Sequence, residues 1–335
     1  MTDVSVIIVN WNTSGLLRDC LASVYAQTRD VDFEVIVADN ASNDGSQGMV
    51  AREFPQAILI ENSVNTGFAA ANNQGMSVAK GRYVLLLNSD TIILDGAVQK
   101  MVVFADARPE VGVAGCRVEN RDGSLQPTCF MFPSLTNLVL MTTHLYKLFA
   151  RNRFFGRALM SWWDRTDERE VEVVTGCFML VRREVLDTVG CFDEAYFFTG
   201  EEADWCRRIA KAGWKLVFTP SARIIHLDGA TARTLGWRSD ALQTRGMIQL
   251  FRSHYGVSYA VSAAALLWAF NFTHMLAWRM VALLPGARRQ AARQRYEHFR
   301  DVVWNWYAPL DELRRRPVLA GRDRDSREAV GGAAR

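Results

Sequence analysis

Apolar and polar residues come in blocks over the first 120 positions. Val4–Val9 is an apolar run broken only by Ser5, and it closes on Asn10-Trp11-Asn12. Leu16, Leu17, Cys20, Leu21 and Val24 then recur at helical spacing, with Thr13 or Ser14 placed to cap that helix. Phe33–Ala38 reads as a second strand and stops at the polar stretch Asp39–Ser46. Ala57–Ile60 reads as a third strand, residues 68–79 as a helix, and Tyr83–Leu87 as a fourth strand halted by Asn88-Ser89-Asp90. Val111–Val118 makes a fifth. Strands that are apolar on both faces and alternate with helices predict an α/β fold with a mostly parallel sheet covered on both sides. Such sheets bind ligands beyond the carboxyl ends of their strands. The clusters Asn10–Asn12, Asp39–Ser46, Asn62–Gly67 and Asn88–Asp90 all fall there. Each alone also suits an ordinary turn, because Asn, Asp, Ser and Gly favour turns.

The later pattern changes character. Glu170–Val181 predicts a strand broken at Gly176, and Asp193–Gly200 an aromatic, turn-rich loop. Residues 201–212 predict a helix, and Trp214–Phe218 and Arg223–His226 two further strands. Between these halves, Thr136–Trp163 mixes Leu, Met, Phe and Trp with Lys147, Arg151, Arg153 and Arg157. That mixture suits either a membrane interface or an amphipathic core helix with a basic face. Val257–Trp278 carries no Asp, Glu, Lys or Arg over 22 residues, followed by Arg279, Arg288 and Arg289. It predicts a membrane-embedded or in-plane hairpin in preference to a buried soluble helix. The stretch from Arg314 is rich in Arg and Gly and reads as disordered.

Composition narrows the class. A chain of 335 residues with 49% hydrophobic content buries a substantial core, which excludes a disordered or collagen-like protein. The net charge of +3 does not indicate nucleic acid. From Gly286 onward, twelve Arg face seven acidic residues, so the basic character belongs to the C-terminal end. The six cysteines are dispersed without a C-x-x-C pair, and Val4–Val9 is too short for a signal-peptide core. A reducing cytosol is expected.

The fingerprints G-x-G-x-x-G, G-x-x-x-x-G-K-[ST] and G-x-S-x-G are all absent. The sheet edge offers carboxylates and carboxamides instead. Asp39 ends the second strand, where an acidic group can accept from a base or ribose. Oxygen ligands at Asn88-Ser89-Asp90 suit Mg²⁺ or Mn²⁺ on a diphosphate, and His226 is a candidate second ligand. Glu201, Glu202 and Asp204 open a helix. Their simplest reading is capping, but crowded carboxylates also raise one another's pKa, as a general base requires.

In order, the segments VSVIIVNWN (Val4–Asn12), VADNASNDGS (Val37–Ser46), NTGFAAANNQG (Asn65–Gly75), YVLLLNSD (Tyr83–Asp90), TGCFMLVRREVLDTVGCFDEAYF (Thr175–Phe197), GEEADWCRRIAKAGWKLVFTP (Gly200–Pro220) and ARIIH (Ala222–His226) resemble the family-two inverting glycosyltransferases. The likeness is to their rhamnosyl- and galactofuranosyl-transferase-like bacterial members that build surface polysaccharides. It covers roughly residues 4–230 and implies the glycosyltransferase A fold, a Rossmann-like, mostly parallel sheet flanked by helices, with a C-terminal helical, membrane-associating appendage. It also implies roles. Val9 and Trp11 contact the nucleobase, Asp39 reads it, and Asn65 and Gly67 approach the nucleotide. Asn88 and Asp90 occupy the D-x-D positions, with Asn in place of the first Asp. Glu202 stands at the catalytic base where Asp is common, with Asp204 beside it, so Glu201, Glu202 and Asp204 all stay candidates. His226 matches a metal-ligating His.

The expected domains are 1–235 (catalytic; 1–120 nucleotide-binding, 121–235 acceptor-binding), 236–310 (helical and membrane-associating) and 311–335 (a tail). The expected reaction moves a sugar from a UDP- or dTDP-linked donor to a glycan acceptor on a polyprenyl diphosphate. It would occur at the cytoplasmic face of the bacterial inner membrane, with Mg²⁺ or Mn²⁺ and without nucleic acid. The rival readings are a nucleotidyltransferase of similar fold and a degenerate transferase that scaffolds a membrane glycan-assembly complex.

Overall fold

The computed structural model describes residues 2–227, 235–285 and 289–307; the 311–335 tail and Arg288 lie outside them. The strands are β1 (Val4–Asn10), β2 (Phe33–Asp39), β3 (Ile58–Glu61), β4 (Tyr83–Asn88), β5 (Thr91–Ile93), β6 (Val111–Glu119), β7 (Leu125–Gln126), β8 (Cys129–Phe130), β9 (Arg169–Glu170), β10 (Val173–Val174), β11 (Phe178–Arg182) and β12 (Lys215–His226). Ten of them form one sheet with the path β3-β2-β1-β4-β11-β6-β12-β5, while β8 and β10 pair separately. The parallel arrangement holds for β3-β2-β1-β4 and for β6 with β12. Strand β11 sits between β4 and β6, antiparallel to both.

Alternation along each strand builds two cores. Val6, Ile8, Leu85 and Leu87 face one side with α1 (Ser14–Gln27), α2 (Ser46–Glu53) and α4 (Ala97–Asp106). Ile7, Val84 and Leu86 face the other with α3 (Phe68–Val78), α7 (Arg183–Val189) and α8 (Glu201–Lys211). The period of two is the pleat itself. Helix α1 buries the predicted stripe Leu17, Cys20, Leu21 and Val24. Its N-terminus is not capped by Thr13. The Ser14 N–H donates to Asp44 Oδ2 at 2.8 Å, which ties the turn after β1 to the turn after β2.

Three expectations changed in detail. The broken strand 170–181 is three short pieces, β9, β10 and β11. The two late strands are one, β12, whose register on β6 slips between Thr219 and Arg223; Pro220 lies there and has no N–H for the ladder. Residues 136–163 are not one helix. Helix α5 (Leu135–Thr142) ends and α6 (Leu145–Leu148) begins across His144, which adopts a left-handed φ of 57°.

The C-terminal part is helical: α9 (Trp237–Tyr255), α10 (Val257–Leu283) and α11 (Arg289–Asn305). Helix α9 is seated on the catalytic half. Gly246 lies so close to the Thr199 carbonyl oxygen that any Cβ would collide with it. Helix α5 packs on α10 through Leu138, Ala260 and Ala263, with Leu135, Leu266 and Leu267 alongside.

Candidate active site

The sheet edge is a hydrogen-bonded lattice of amides and carboxylates. Asn10 Nδ2 donates to Asp39 Oδ2 at 2.8 Å and to Ser42 Oγ at 3.1 Å. Asp39 Oδ1 accepts from the Ser42 N–H at 2.8 Å and from Gln47 Nε2 at 2.7 Å. Asp39 is fully buried. Three of its roughly four acceptor positions are therefore filled from within the chain. Val9 and Trp11 are half-buried, and Trp11 packs against the cluster of Phe197, Leu235, Ala241 and Leu242.

Asn40 organises the next turn. Its Oδ1 accepts from Asn62 Nδ2 and from Thr66 Oγ1, both at 3.0 Å, while its Nδ2 donates to the Gly67 carbonyl at 3.1 Å. Asn65 Oδ1 accepts from the Gly67 N–H at 2.9 Å. Gly67 has φ +91°, and a Cβ there would lie 2.6 Å from the Phe197 carbonyl oxygen. Only glycine meets both demands. The loop expected to approach a nucleotide is thus locked to the aromatic loop that precedes α8.

At the third turn, Asn88, Asp90 and His226 come together. His226 is delivered by β12, where it pairs with Thr91 of β5. Its Nε2 lies 3.1 Å from Asp90 Oδ1 and 3.2 Å from Asn88 Nδ2. Its Nδ1 lies 2.7 Å from Gln126 Oε1. Gln126 Nε2 donates to Asn120 Oδ1 at 3.1 Å, so the amide presents its oxygen to the ring and Nδ1 carries the proton. In the neutral imidazole, Nε2 then holds a lone pair facing a carboxylate oxygen. Nε2 and Asp90 Oδ1 are donor types that a divalent cation takes, and an Nδ1–H bonded to an amide oxygen is the usual outer support of a metal-ligating His. Among the described residues, no group of three or more His, Cys, Asp or Glu side chains is arranged to hold a metal. A cation here needs further oxygens, such as those of a diphosphate.

The three carboxylates at the start of α8 separate, because successive residues turn by about 100°. Asp204 is committed: Oδ2 accepts from Arg208 Nε and Oδ1 faces His254 Nε2, both at 2.8 Å. Glu201 is buried, and its Oε2 has no hydrogen-bond partner among the described residues. Burial first, and then the charge of Glu202, push its carboxyl well above the usual range. Glu202 lines a cavity of about 190 Å³ with Phe130, Thr175, Gln243, Met247 and Leu250 among its walls. Burial raises its pKa, offset in part by backbone N–H groups including that of Gly176, which donates to Oε1 at 3.2 Å. The cause is desolvation more than the crowding expected from the sequence.

Residues 176 and 177 join the two carboxylate sites. Gly176 holds Glu202, and the next carbonyl, of Cys177, accepts the Asn88 N–H at 3.3 Å. The Cys177 thiol is pushed to about 12, by burial first, and the charges of Glu202 and Asp90 both add to it. Gln126, Gln243, Met247 and His254 were not singled out from the sequence, and Gly176 was read only as a strand break. Asp122-Gly123 after β6 is a hairpin signal that returns the chain to Gln126; the others carry no local signal.

A mixed sheet with its polar edge at the strand ends, facing a helix that opens with acidic residues, is the glycosyltransferase A architecture. The mannosyltransferase PcManGT from Pyrobaculum calidifontis, solved with GDP-Man and Mn²⁺, shares that fold with a TM-score of 0.52 at 19% identity, over 92% of this chain and 86% of that one. The family described as Glycosyl transferase family 2 matches residues 5–190, and the chain belongs to it. The N-acetylglucosaminyl-diphospho-decaprenol L-rhamnosyltransferase of Mycobacterium tuberculosis is 30% identical over 238 residues, 68% of this chain and 76% of the relative. The O-antigen biosynthesis protein RfbC of Myxococcus xanthus is 27% identical over 236 residues, 69% of this chain and 18% of that protein. The protein is a glycosyltransferase of polysaccharide synthesis.

Proposed function

We propose that the chain transfers a hexosyl or deoxyhexosyl group from a UDP- or dTDP-linked donor to a hydroxyl of a polyprenyl-diphosphate-linked glycan, inverting the anomeric carbon. The observation that carries this reading is the position of Glu202. It is the one carboxylate of its trio that lines the cavity, and Gly176–Cys177 tie it to the Asn88–Asp90 turn. Its raised pKa suits a general base. In this reading Glu202 takes the proton of the acceptor hydroxyl as that oxygen bonds to the anomeric carbon. The bond from that carbon to the diphosphate oxygen breaks, and the nucleoside diphosphate leaves from the opposite face.

Asp90 and His226, with diphosphate oxygens, would hold Mg²⁺ or Mn²⁺. When bound, the cation offsets the negative charge of the leaving group. Val9, Trp11, Asn65, Gly67 and Asn88 would border the nucleotide, with Asp39 holding Asn10, Ser42 and Gln47 behind them. Residues 1–235 are read as the catalytic domain and 236–310 as its membrane-associating part, with α9 contributing to the cavity wall. The mycobacterial relative's name pairs rhamnosyl transfer with a decaprenyl-diphosphate acceptor, which supports a lipid-linked acceptor here; the proposed location is the cytoplasmic face of the inner membrane.

The test is nucleoside diphosphate release from a panel of UDP- and dTDP-sugars with membrane extract, with and without EDTA. EDTA-sensitive release from one donor is expected. Silence across the panel with folded protein and lipid-linked acceptor present would sink the reading.

A further inference from the structure

We infer that α10 lies flat in the membrane surface, half-embedded among anionic headgroups, and does not cross the bilayer. By length it is able to cross: its 27 residues span about 40 Å at 1.5 Å each, against a hydrocarbon core of about 30 Å. Its packing forbids it. One stripe of α10, Ala260, Ala263, Asn271 and Met275, is buried. Helix α11 runs antiparallel along this side. The Arg295 guanidinium lies 4.7 Å from the Trp278 ring centroid, and the Phe299 ring 5.1 Å from that of His274. Farther on, Val302, Val303 and Trp306 meet Ala264, Trp268 and Asn271. The contact therefore covers residues 264–278, the middle of any span. Helix α11 exposes Arg293, Arg295 and Arg300 and also carries Glu297 and Asp301. A crossing α10 would draw these charges into hydrocarbon, where ionised side chains are costly. Nor can α10 leave the catalytic half alone. His298 of α11 holds Asp240 of α9 at 2.7 Å, and His254 of α9 holds Asp204 at 2.8 Å.

Among the described residues, the opposite face of α10 has no such partner helix. Val261, Leu276, Met280 and Leu283 are exposed along it, and no acidic residue interrupts them. Basic groups lie at the end of α10 and on a segment attached to it. Arg279 is exposed at its end, and the His144–His274 contact at 3.4 Å joins α10 to a segment exposing Lys147, Arg151 and Arg153 beside Leu148, Phe149 and Phe154. Apolar side chains bordered by Lys, Arg and aromatics fit an anionic phospholipid surface. Met247 lines the Glu202 cavity and also packs against the α5–α10 cluster. The cavity is thus one helix layer, about 10 Å, from the lipid.

This inference deepens the lipid-linked acceptor reading, and its test is separate. Val261→Cys, Ala269→Cys and Leu276→Cys would be labelled with an environment-sensitive fluorophore in Cys191→Ser protein, the other five thiols being buried. They would be bound to phosphatidylglycerol–phosphatidylcholine vesicles with quenchers at headgroup or acyl-end depth. Equal, shallow quenching at all three positions is expected. A deep position 269 between shallower ends means a span and overturns the inference, as does no quenching anywhere. The variant Val261→Asp/Leu276→Asp should lose vesicle binding by about tenfold or more while nucleotide release with a soluble acceptor fragment is unchanged. Unchanged vesicle binding in that folded variant also overturns it. Failure of the transferase reading would look different: no nucleotide release from either protein, whatever the depth profile.

Discussion

Strands β2 and β4 flank β1 on either side, and each delivers an aspartate to the same sheet edge. The two aspartates are used differently. Asp39 is fully buried, and Asn10, Ser42 and Gln47 donate to it. Asp90 keeps 11% of its side chain exposed and faces an imidazole nitrogen whose ring proton is committed to Gln126 on the other side. The same division recurs on α8. Asp204 is bound by Arg208 and His254, whereas Glu202 faces a cavity with a raised pKa. An acidic residue that the chain has already satisfied holds the site in shape. One left partly unsatisfied is available for a ligand or a proton.

The largest effect should come from the partly unsatisfied group on α8. Glu202→Gln keeps the Gly176 contact and removes the base, so turnover should fall by a factor of about 10² to 10⁴ with the fold intact. Donor KM is expected to change little in the same steady-state assay. Wild-type turnover would break the comparison at its strongest point. The pH profile sharpens it. Because burial raises the Glu202 pKa, kcat should fall as pH drops through that raised value, on a limb displaced above the ordinary carboxylate range.

Asp90→Asn comes next. Direct Mn²⁺ binding, read by electron paramagnetic resonance with UDP or dTDP present, should weaken by more than about tenfold, a scale reached even by residues one step removed from a ligand. Binding as tight as in the wild type would move the cation away from His226 and Asp90. Asp39→Ala should behave oppositely. It leaves the donors on Asn10, Ser42 and Gln47 without their acceptor, and buried donors left unpaired cost about 1–3 kcal/mol each, so denaturant stability should drop by about 3 kcal/mol. If stability holds and donor KM rises instead, Asp39 belongs with Asp90 as a ligand.

The sequence made this edge legible because strand ends and turn residues are local. Val4–Asn10, Phe33–Asp39 and Tyr83–Asn88 follow from apolar runs closed by Asn and Asp. The ranking of the carboxylates was not legible. Whether Asp39 meets Gln47, or His226 meets Gln126 a hundred residues away, depends on pairings that local periodicity does not encode. Helix α9 illustrates the same limit. It lies in the stretch read as an appendage, yet Gln243, Met247 and Leu250 line the cavity, brought there by the close approach of Gly246 to Thr199 and by the His254–Asp204 contact.

The smallest effect tests the neighbour of the base. Glu201 is adjacent to Glu202 and equally acidic by sequence, but it does not line the cavity, and burial and the Glu202 charge keep it protonated well above pH 4.5. Its folded pKa exceeds its unfolded value, so the folded state binds the extra proton between the two. Its contribution to stability is complete below the unfolded value and is lost as pH rises through the folded one. Glu201→Gln mimics the protonated form at every pH. Turnover should stay within about twofold of wild type, the range expected when no transition-state contact is removed. The decline of Tm with rising pH should become shallower, because one of the two coupled groups no longer ionises. A loss of turnover comparable to that of Glu202→Gln would make the pair a single proton-sharing unit, and the division between the two carboxylates would fail where they are closest.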